Sequence, residues 1–223
     1  VWWRLGASGG SGRRGLGRRI ELLILFRRNR DLDRSNWLIV GLGNPGSQYS
    51  ATRHNLGRMA LEKWVVDMPR PPKKFKSHGY VWTCDLDLNS NSRVFIATLS
   101  SFMNRSGSPV KSIMSFYKVA AAQLIVVHDD LDLSFGAIKL KFGGGAGGHN
   151  GVRDIIQTLG TKEFFRVRAG VGRPDKSISA ADYVLQEFSE EQAGELSNLL
   201  TKVVEASECL IEEGLLSAQQ RIH

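Results

Sequence analysis

At 223 residues and 42% apolar side chains, the chain is long enough for one domain with a buried core. Its formal charge of +8 is unevenly placed, because residues 1–36 hold nine Arg against three acids and so leave only +2 for the rest. Two distant cysteines, Cys84 and Cys209, form no Cys-x-x-Cys pattern, which argues against a disulfide framework or structural zinc site. With no apolar run near the roughly 20 residues of a membrane helix, this predicts a soluble, cytoplasmic protein.

Residues 1–36, rich in Arg, Gly and Ser and without an initiator Met, are expected to lie outside the fold. They read as an upstream stretch or a disordered extension in preference to an organelle transit peptide or a basic RNA-binding tail. The domain is expected over 37–223. It opens on a buried strand, Trp37 to Val40, followed by the glycine turn Gly41-Leu42-Gly43-Asn44-Pro45-Gly46. A polar loop with Tyr49 then delivers Arg53-His54-Asn55 to a helix with Leu56, Met59, Ala60 and Trp64 at helical spacing, ended by Pro69, Pro71 and Pro72. The basic stretch Lys73 to Lys76 leads into a hairpin, Tyr80 to Leu86 and Val94 to Leu99, turning at Asn89 to Ser92.

After Phe102-Met103-Asn104, Ser108 to Tyr117 reads as a helix and Leu124 to Val127 as an apolar strand ending in His128-Asp129-Asp130-Leu131-Asp132. Ala137 to Phe142 alternates as a half-exposed strand, Gly143 to Gly151 is a glycine loop, and Val152 to Leu159 is a helix. Phe164 to Val171 alternates again, with Arg166 and Arg168 on one side. A capping box at Ser189 to Gln192 starts a long amphipathic helix. Strands alternate with helices, so the expected fold is α/β: a single domain with a mostly parallel mixed sheet and helices on both faces.

Three motifs admit rival chemistries. Gly41 to Gly46 fits the dinucleotide pattern G-x-G-x-x-G, but Pro45 and the polar residues after it delay the helix, so no helix N-terminus faces a pyrophosphate. His128-Asp129-Asp130-x-Asp132 could be a divalent-metal cluster of a nuclease or phosphoesterase, or one functional carboxylate among turn acids. Gly143 to Gly148 lacks the Gly-Lys-Ser/Thr of a P-loop, but its continuation His149-Asn150 puts polar groups at a helix entry and suggests a substrate-facing loop. Asn44, His54, Asn104, Asp129 and Asn150 each lie on a loop or past the carboxyl end of a strand, so all five can meet on one rim. An imidazole beside a carboxylate, without a Gly-x-Ser-x-Gly elbow, is equipped to activate water directly.

The blocks LIVGLGNPGSQYSATRHNLG, SFMNRSG, VVHDDLDLSFGAIKLKFGGGAGGHNGVRDII and FFRVRAGVGRP carry a resemblance to the bacterial-type peptidyl-tRNA hydrolases over essentially all of 37–223. The resemblance implies a monomer that cleaves the ester between a peptide and the tRNA 3′ ribose, with tRNA as partner and no metal or organic cofactor. It puts the catalytic base at His54, its supporting carboxylate at Asp129, and at Asn44 the amide that distinguishes a blocked peptidyl group from a free amine. Phe102, Met103, Asn104 and Asn150 match substrate contacts, with His149 beside them; Tyr49 matches a contact to the tRNA end, and Lys141 and Arg168 match contacts to tRNA phosphate. Two departures are Leu99-Ser100-Ser101, where a proline-containing lead is familiar, and Ala146, where the glycine run often holds histidine. Plant organelle proteins similar to this family act in RNA splicing without catalysis, but this chain keeps all five rim residues.

Overall fold

A computed structural model describes residues 36–223 apart from Asp67, Pro69, Ser77 and residues 85–92. Residues 1–35 of the leader and the tip of the hairpin at Asn89 to Ser92 therefore lie outside the described residues, while Asn36 opens the first strand. Seven strands form one sheet: β1 (Asn36–Gly41), β2 (Lys73–Phe75), β3 (Gly79–Cys84), β4 (Arg93–Leu99), β5 (Leu124–Asp130), β6 (Ile138–Phe142) and β7 (Phe165–Gly170), in the order β2-β3-β4-β1-β5-β7-β6. The central strands β4, β1, β5 and β7 run parallel, while β2, β3 and β6 add antiparallel edges.

Helices α1 (Leu56–Val65) and α5 (Glu190–Ile222) cover one face, and α2 (Gly107–Tyr117) and α3 (Asn150–Leu159) the other. Alternate residues of β1 and β5 therefore enter different cores: Ile39, Ile125 and Val127 pack toward α1 and α5, and Leu38, Val40, Leu124 and Val126 toward α2 and α3. That is why both strands read as unbroken apolar runs. On β6 only Ile138 and Leu140 are covered, and Lys139 and Lys141 face outward, which gives the alternation seen in the sequence.

Three elements differ from the expected ones. Lys73 to Phe75 is itself a strand, the outer edge β2; only Phe75 is buried, so no apolar pattern announces it. The fifth strand continues past Val127 through Asp130, because it pairs with β7 from Ile125↔Phe165 to Asp130↔Gly170. A five-residue helix α4 (Ala180–Val184) precedes α5, capped by Ser179 accepting from Asp182 N–H. Helix α5 has the expected capping box but bends at Gly214 (φ 75°). Beyond the bend, Gln219 donates to the carbonyl of Leu140 (2.9 Å), and His223 Nε2 accepts from its N–H (2.8 Å). These two side chains satisfy backbone groups on the outer edge of β6.

The first glycine of the Gly41 to Gly46 run serves packing. A Cβ on Gly41 would lie 2.4 Å from the carbonyl oxygen of Gly57, and one on Gly57 would lie 2.2 Å from that of Val127. Helix α1 thus begins in backbone contact with β1 and β5, where Leu42 N–H donates to Val127 (3.0 Å) and Arg58 N–H to Leu42 (2.9 Å). This approach sets the segment before α1 over the carboxyl end of β5.

Candidate active site

Asp129 is the penultimate residue of β5, and only 3% of its surface is exposed. Two imidazoles converge on its carboxylate. His54 Nδ1 lies 2.9 Å from Oδ1 and 3.1 Å from Oδ2, and His149 Nε2 lies 3.0 Å from Oδ1. Both nitrogens must carry the proton to donate to an ionised carboxylate, which fixes the tautomers. His149 Nδ1 is then the acceptor that caps α3 at Val152 N–H (3.3 Å), and His54 Nε2 is an acceptor with no protein donor among the described residues. Burial alone would raise the Asp129 pKa, but the charges and hydrogen bonds of His54 and His149 outweigh it and hold the carboxyl well below the usual carboxylate range. His128, also buried, donates from Nδ1 to the Asp129 carbonyl (2.6 Å). Burial, with His149 beside it, pushes the His128 pKa down to about 3, so this ring is neutral.

His54 arrives on two short 3₁₀ turns, Ser47–Tyr49 and Arg53–Asn55. Arg53 anchors them. Its buried guanidinium stacks over Tyr183 (4.0 Å to the ring centroid), donates to the carbonyls of Tyr183 and Gln186 (3.4 Å each), and reaches Gln192 Oε1 at 3.0 Å. The same arginine therefore ties the His54 turn to α4 and the start of α5. Sequence reasoning gave Arg53 no role, because its partners lie at least 130 residues away.

Asn44 is set by two groups. Its Oδ1 accepts from Met103 N–H (2.8 Å), so the amide NH2 faces away from that bond. Asn55, another residue the sequence left without a role, grips the Asn44 backbone from both sides. Asn150 is held in a similar way, with Oδ1 accepting from Arg153 (2.7 Å). Tyr49 meets Phe102 edge to face, with centroids 6.5 Å apart, and Phe102 is half exposed.

Two clefts meet at His54. One, of about 500 Å³, brings together Asn44, His54, Phe102, Met103, Asn104 and Asn150, so four of the five rim residues share it and Asp129 supports His54. The other, of about 350 Å³, is lined by His128, Asp129, residues 146–149 of the glycine loop, and Arg173. His54, Asn150, Ala181 and Val184 line both, so α4 is a shared wall.

Lys141 and Arg168 lie on one face of β6 and β7 but in different registers, Lys141 opposite Arg166 and Arg168 opposite Lys139. They do not come to one rim: Lys141 sits two rungs toward the amino ends of the parallel strands, because β6 runs antiparallel to β7. Arg168 pairs with Asp130 (2.6 Å). The acidic run does not gather either, since Asp129 faces the two imidazoles, Asp130 meets Arg168 and Asp132 meets Arg173. One atom each from His54, Asp129 and His149 lie within 4.8 Å of one another, so among the described residues these three could hold a metal ion. Their actual separations are those of charge-assisted hydrogen bonds. Among the described residues, Cys209 is a free thiol and no helix is long and apolar enough to cross a membrane.

Residues 38–223 match the family model described as peptidyl-tRNA hydrolase. The chain is 46% identical over 187 residues to the peptidyl-tRNA hydrolase of Paenarthrobacter aurescens, covering 84% of this chain and 96% of that one. It is 43% identical over 187 residues to that of Mycobacterium bovis, covering 83% and 96%. The crystal structure of peptidyl-tRNA hydrolase from Acinetobacter baumannii superimposes with a TM-score of 0.76 at 32% identity, covering 85% of this chain and 94% of that one. With this match and this site, the chain belongs to the peptidyl-tRNA hydrolase family.

Proposed function

We propose that this protein hydrolyses the ester that joins a peptide to the 3′ ribose of tRNA, acting as a monomer and drawing on no metal. The observation that carries this reading is His54, whose Nδ1 is fixed on buried Asp129 while its Nε2 stands bare where two clefts meet. Asp129 orients the ring and holds the tautomer in which Nε2 accepts a proton. A water hydrogen-bonded to Nε2 gives up its proton as its oxygen attacks the ester carbonyl, and the carbonyl electrons move onto oxygen. Collapse breaks the bond to the ribose oxygen, which takes the proton back from Nε2, leaving a free carboxylic acid and a 3′ hydroxyl. Asn44 and Asn150, each with Oδ1 already engaged, can present NH2 donors to the peptide's carbonyl oxygens as charge builds there. Clefts on two sides of the base suit a substrate whose peptide and nucleotide halves diverge from one ester.

The test is release of N-blocked amino acid from N-blocked aminoacyl-tRNA by the purified protein, with and without chelator. Turnover indifferent to chelator is expected. No turnover would overturn the reading, and loss on chelation with recovery on adding a divalent ion would move the chemistry to a metal held by His54, Asp129 and His149.

A further inference from the structure

The glycine loop between β6 and α3 has a cation behind it. Arg166 is 3% exposed, and among the described residues no carboxylate pairs with it. Its guanidinium instead donates to two loop carbonyls, Gly144 (2.5 Å) and Gly145 (2.6 Å), and lies 5.1 Å from the Phe164 ring centroid. A buried charge without a counter-charge is costly to keep. Lys141 adds a second cation at the same loop, since a Cβ on Gly144 would come within 2.8 Å of its Nζ.

In a trans peptide the C=O of one residue and the N–H of the next point opposite ways. Two carbonyls turned toward Arg166 therefore turn the N–H groups of Gly145 and Ala146 away from it. Among the described residues, none of the backbone N–H groups of 144–148 donates to a protein acceptor. Gly143, Gly144, Gly147 and Gly148 have φ between 57° and 89°, a backbone that only glycine adopts freely, and a run that mixes such residues with right-handed ones can curl its N–H groups into an anion-binding concavity. Ala146, Gly147 and Gly148 line the smaller cleft beside His54. The acids there, Asp130 and Asp132, are already paired with Arg168 and Arg173.

A second observation narrows the ligand. His128 lines the same cleft, and among the described residues its buried Nε2 has no hydrogen-bond partner. Because Nδ1 donates to the Asp129 carbonyl, Nε2 is an acceptor and needs a donor such as a hydroxyl. A ribose phosphate carries both an anionic oxygen and a hydroxyl.

We propose that residues 144–148 form a phosphate seat of backbone N–H groups, backed by the Arg166 charge, for the phosphodiester next to the scissile ester, with a hydroxyl of the attached ribose reaching His128. This rests on the hydrolase reading above and goes further by assigning the nucleotide half of the substrate to the smaller cleft.

The experiment compares three N-acetyl-aminoacyl esters: of adenosine, of the dinucleotide CpA, and of CpA whose phosphodiester is replaced by a neutral methylphosphonate. Wild type should lose about tenfold or more in kcat/KM when the phosphate charge is removed, on the scale of a charge-assisted hydrogen bond. In Arg166→Met and in Ala146→Pro, which removes one N–H without touching a charge, the two dinucleotides should differ less than about threefold. Similar penalties in wild type and variants, or none in wild type, would overturn the seat. Amide NMR titration of wild type with unesterified CpA separates this from failure of the hydrolase reading. Saturable shifts at 144–148 with CpA, absent with the methylphosphonate and reduced with 2′-deoxyadenosine at the 3′ end, are expected even if no ester is cleaved; their absence would overturn the proposal.

Discussion

Asn55 holds Asn44 by both ends of its backbone, accepting from its N–H at 2.8 Å and donating to its carbonyl at 3.0 Å. The pair is fully shielded, with Asn55 at 1% exposure, so the side chain one residue after His54 fixes the loop that carries Asn44. Asn55→Ala should leave two buried backbone groups unpaired and destabilise the fold by about 1–3 kcal/mol. It should also lower kcat more than KM for N-acetyl-aminoacyl-adenosine, because Asn44 loses its aim. A variant that melts lower but turns over normally would make Asn55 a purely structural clamp.

His54→Ala should reduce turnover at least about a hundredfold, the lower scale for loss of a general base. Binding of intact tRNA, followed by fluorescence anisotropy, should stay within a few-fold of wild type. Near-normal turnover would remove His54 from the base role.

Asp129→Asn removes the charge that supports the His54 ring and no longer dictates which nitrogen holds the proton. The share of His54 rings whose Nε2 is the bare acceptor should fall, and kcat should drop by about tenfold or more while KM changes little. Turnover near that of wild type would mean that the carboxylate is not what holds the His54 tautomer.

Much of this arrangement is legible in the chain, and its gaps have physical causes. Asn44 and Asp129 sit at or just past strand ends that apolar periodicity locates, and His54 on the turn before the first helix, so their convergence follows from a parallel sheet. His149 was read as a substrate-facing residue, but its Nε2 also reaches Asp129 across 20 residues, a distance the glycine loop closes and no spacing rule encodes. The α4 wall, Ala180 to Val184, spans little more than one turn and shows no helical period. Its position depends on Arg53, which lies 130 residues earlier in the chain than its partner Tyr183.

His128 should make the protein acid-sensitive. Its folded pKa of about 3 lies below the ordinary histidine value. Between about pH 6.5 and pH 3 the unfolded chain therefore binds a proton that the native ring refuses, and stability falls as pH falls. The slope from this one group is at most about 1.4 kcal/mol per pH unit. Asp129 acts in the same direction lower down, because its depressed pKa supplies stability present above the ordinary carboxylate value and lost as pH falls through the native one. Urea denaturation of His128→Phe at pH 4 and 6 should show a smaller difference in stability than wild type, by up to about one proton's share per unit. An identical difference would show that His128 titrates normally in the native state.

The two cations expected to grip tRNA should not behave alike. Arg168 already donates to Asp130 at 2.6 Å, so much of its charge is met within the protein. Lys141 is exposed, and among the described residues no carboxylate pairs with it. Lys141→Ala should therefore raise KM for full-length peptidyl-tRNA and reduce the salt slope of binding by about one unit or less. Arg168→Ala should weaken binding partly by baring Asp130 on the wall of the smaller cleft, an added repulsion of phosphate. Removing that carboxylate as well, in Arg168→Ala with Asp130→Asn, should recover part of the loss, whereas no Asp130 substitution should rescue Lys141→Ala. N-acetyl-aminoacyl-adenosine, which has no phosphate, should be hydrolysed at nearly the wild-type rate by Lys141→Ala, since only uniform binding was removed. Equal losses on the nucleoside and on full tRNA, or equal salt slopes in Lys141→Ala and wild type, would show that Lys141 supports the glycine loop instead of meeting phosphate.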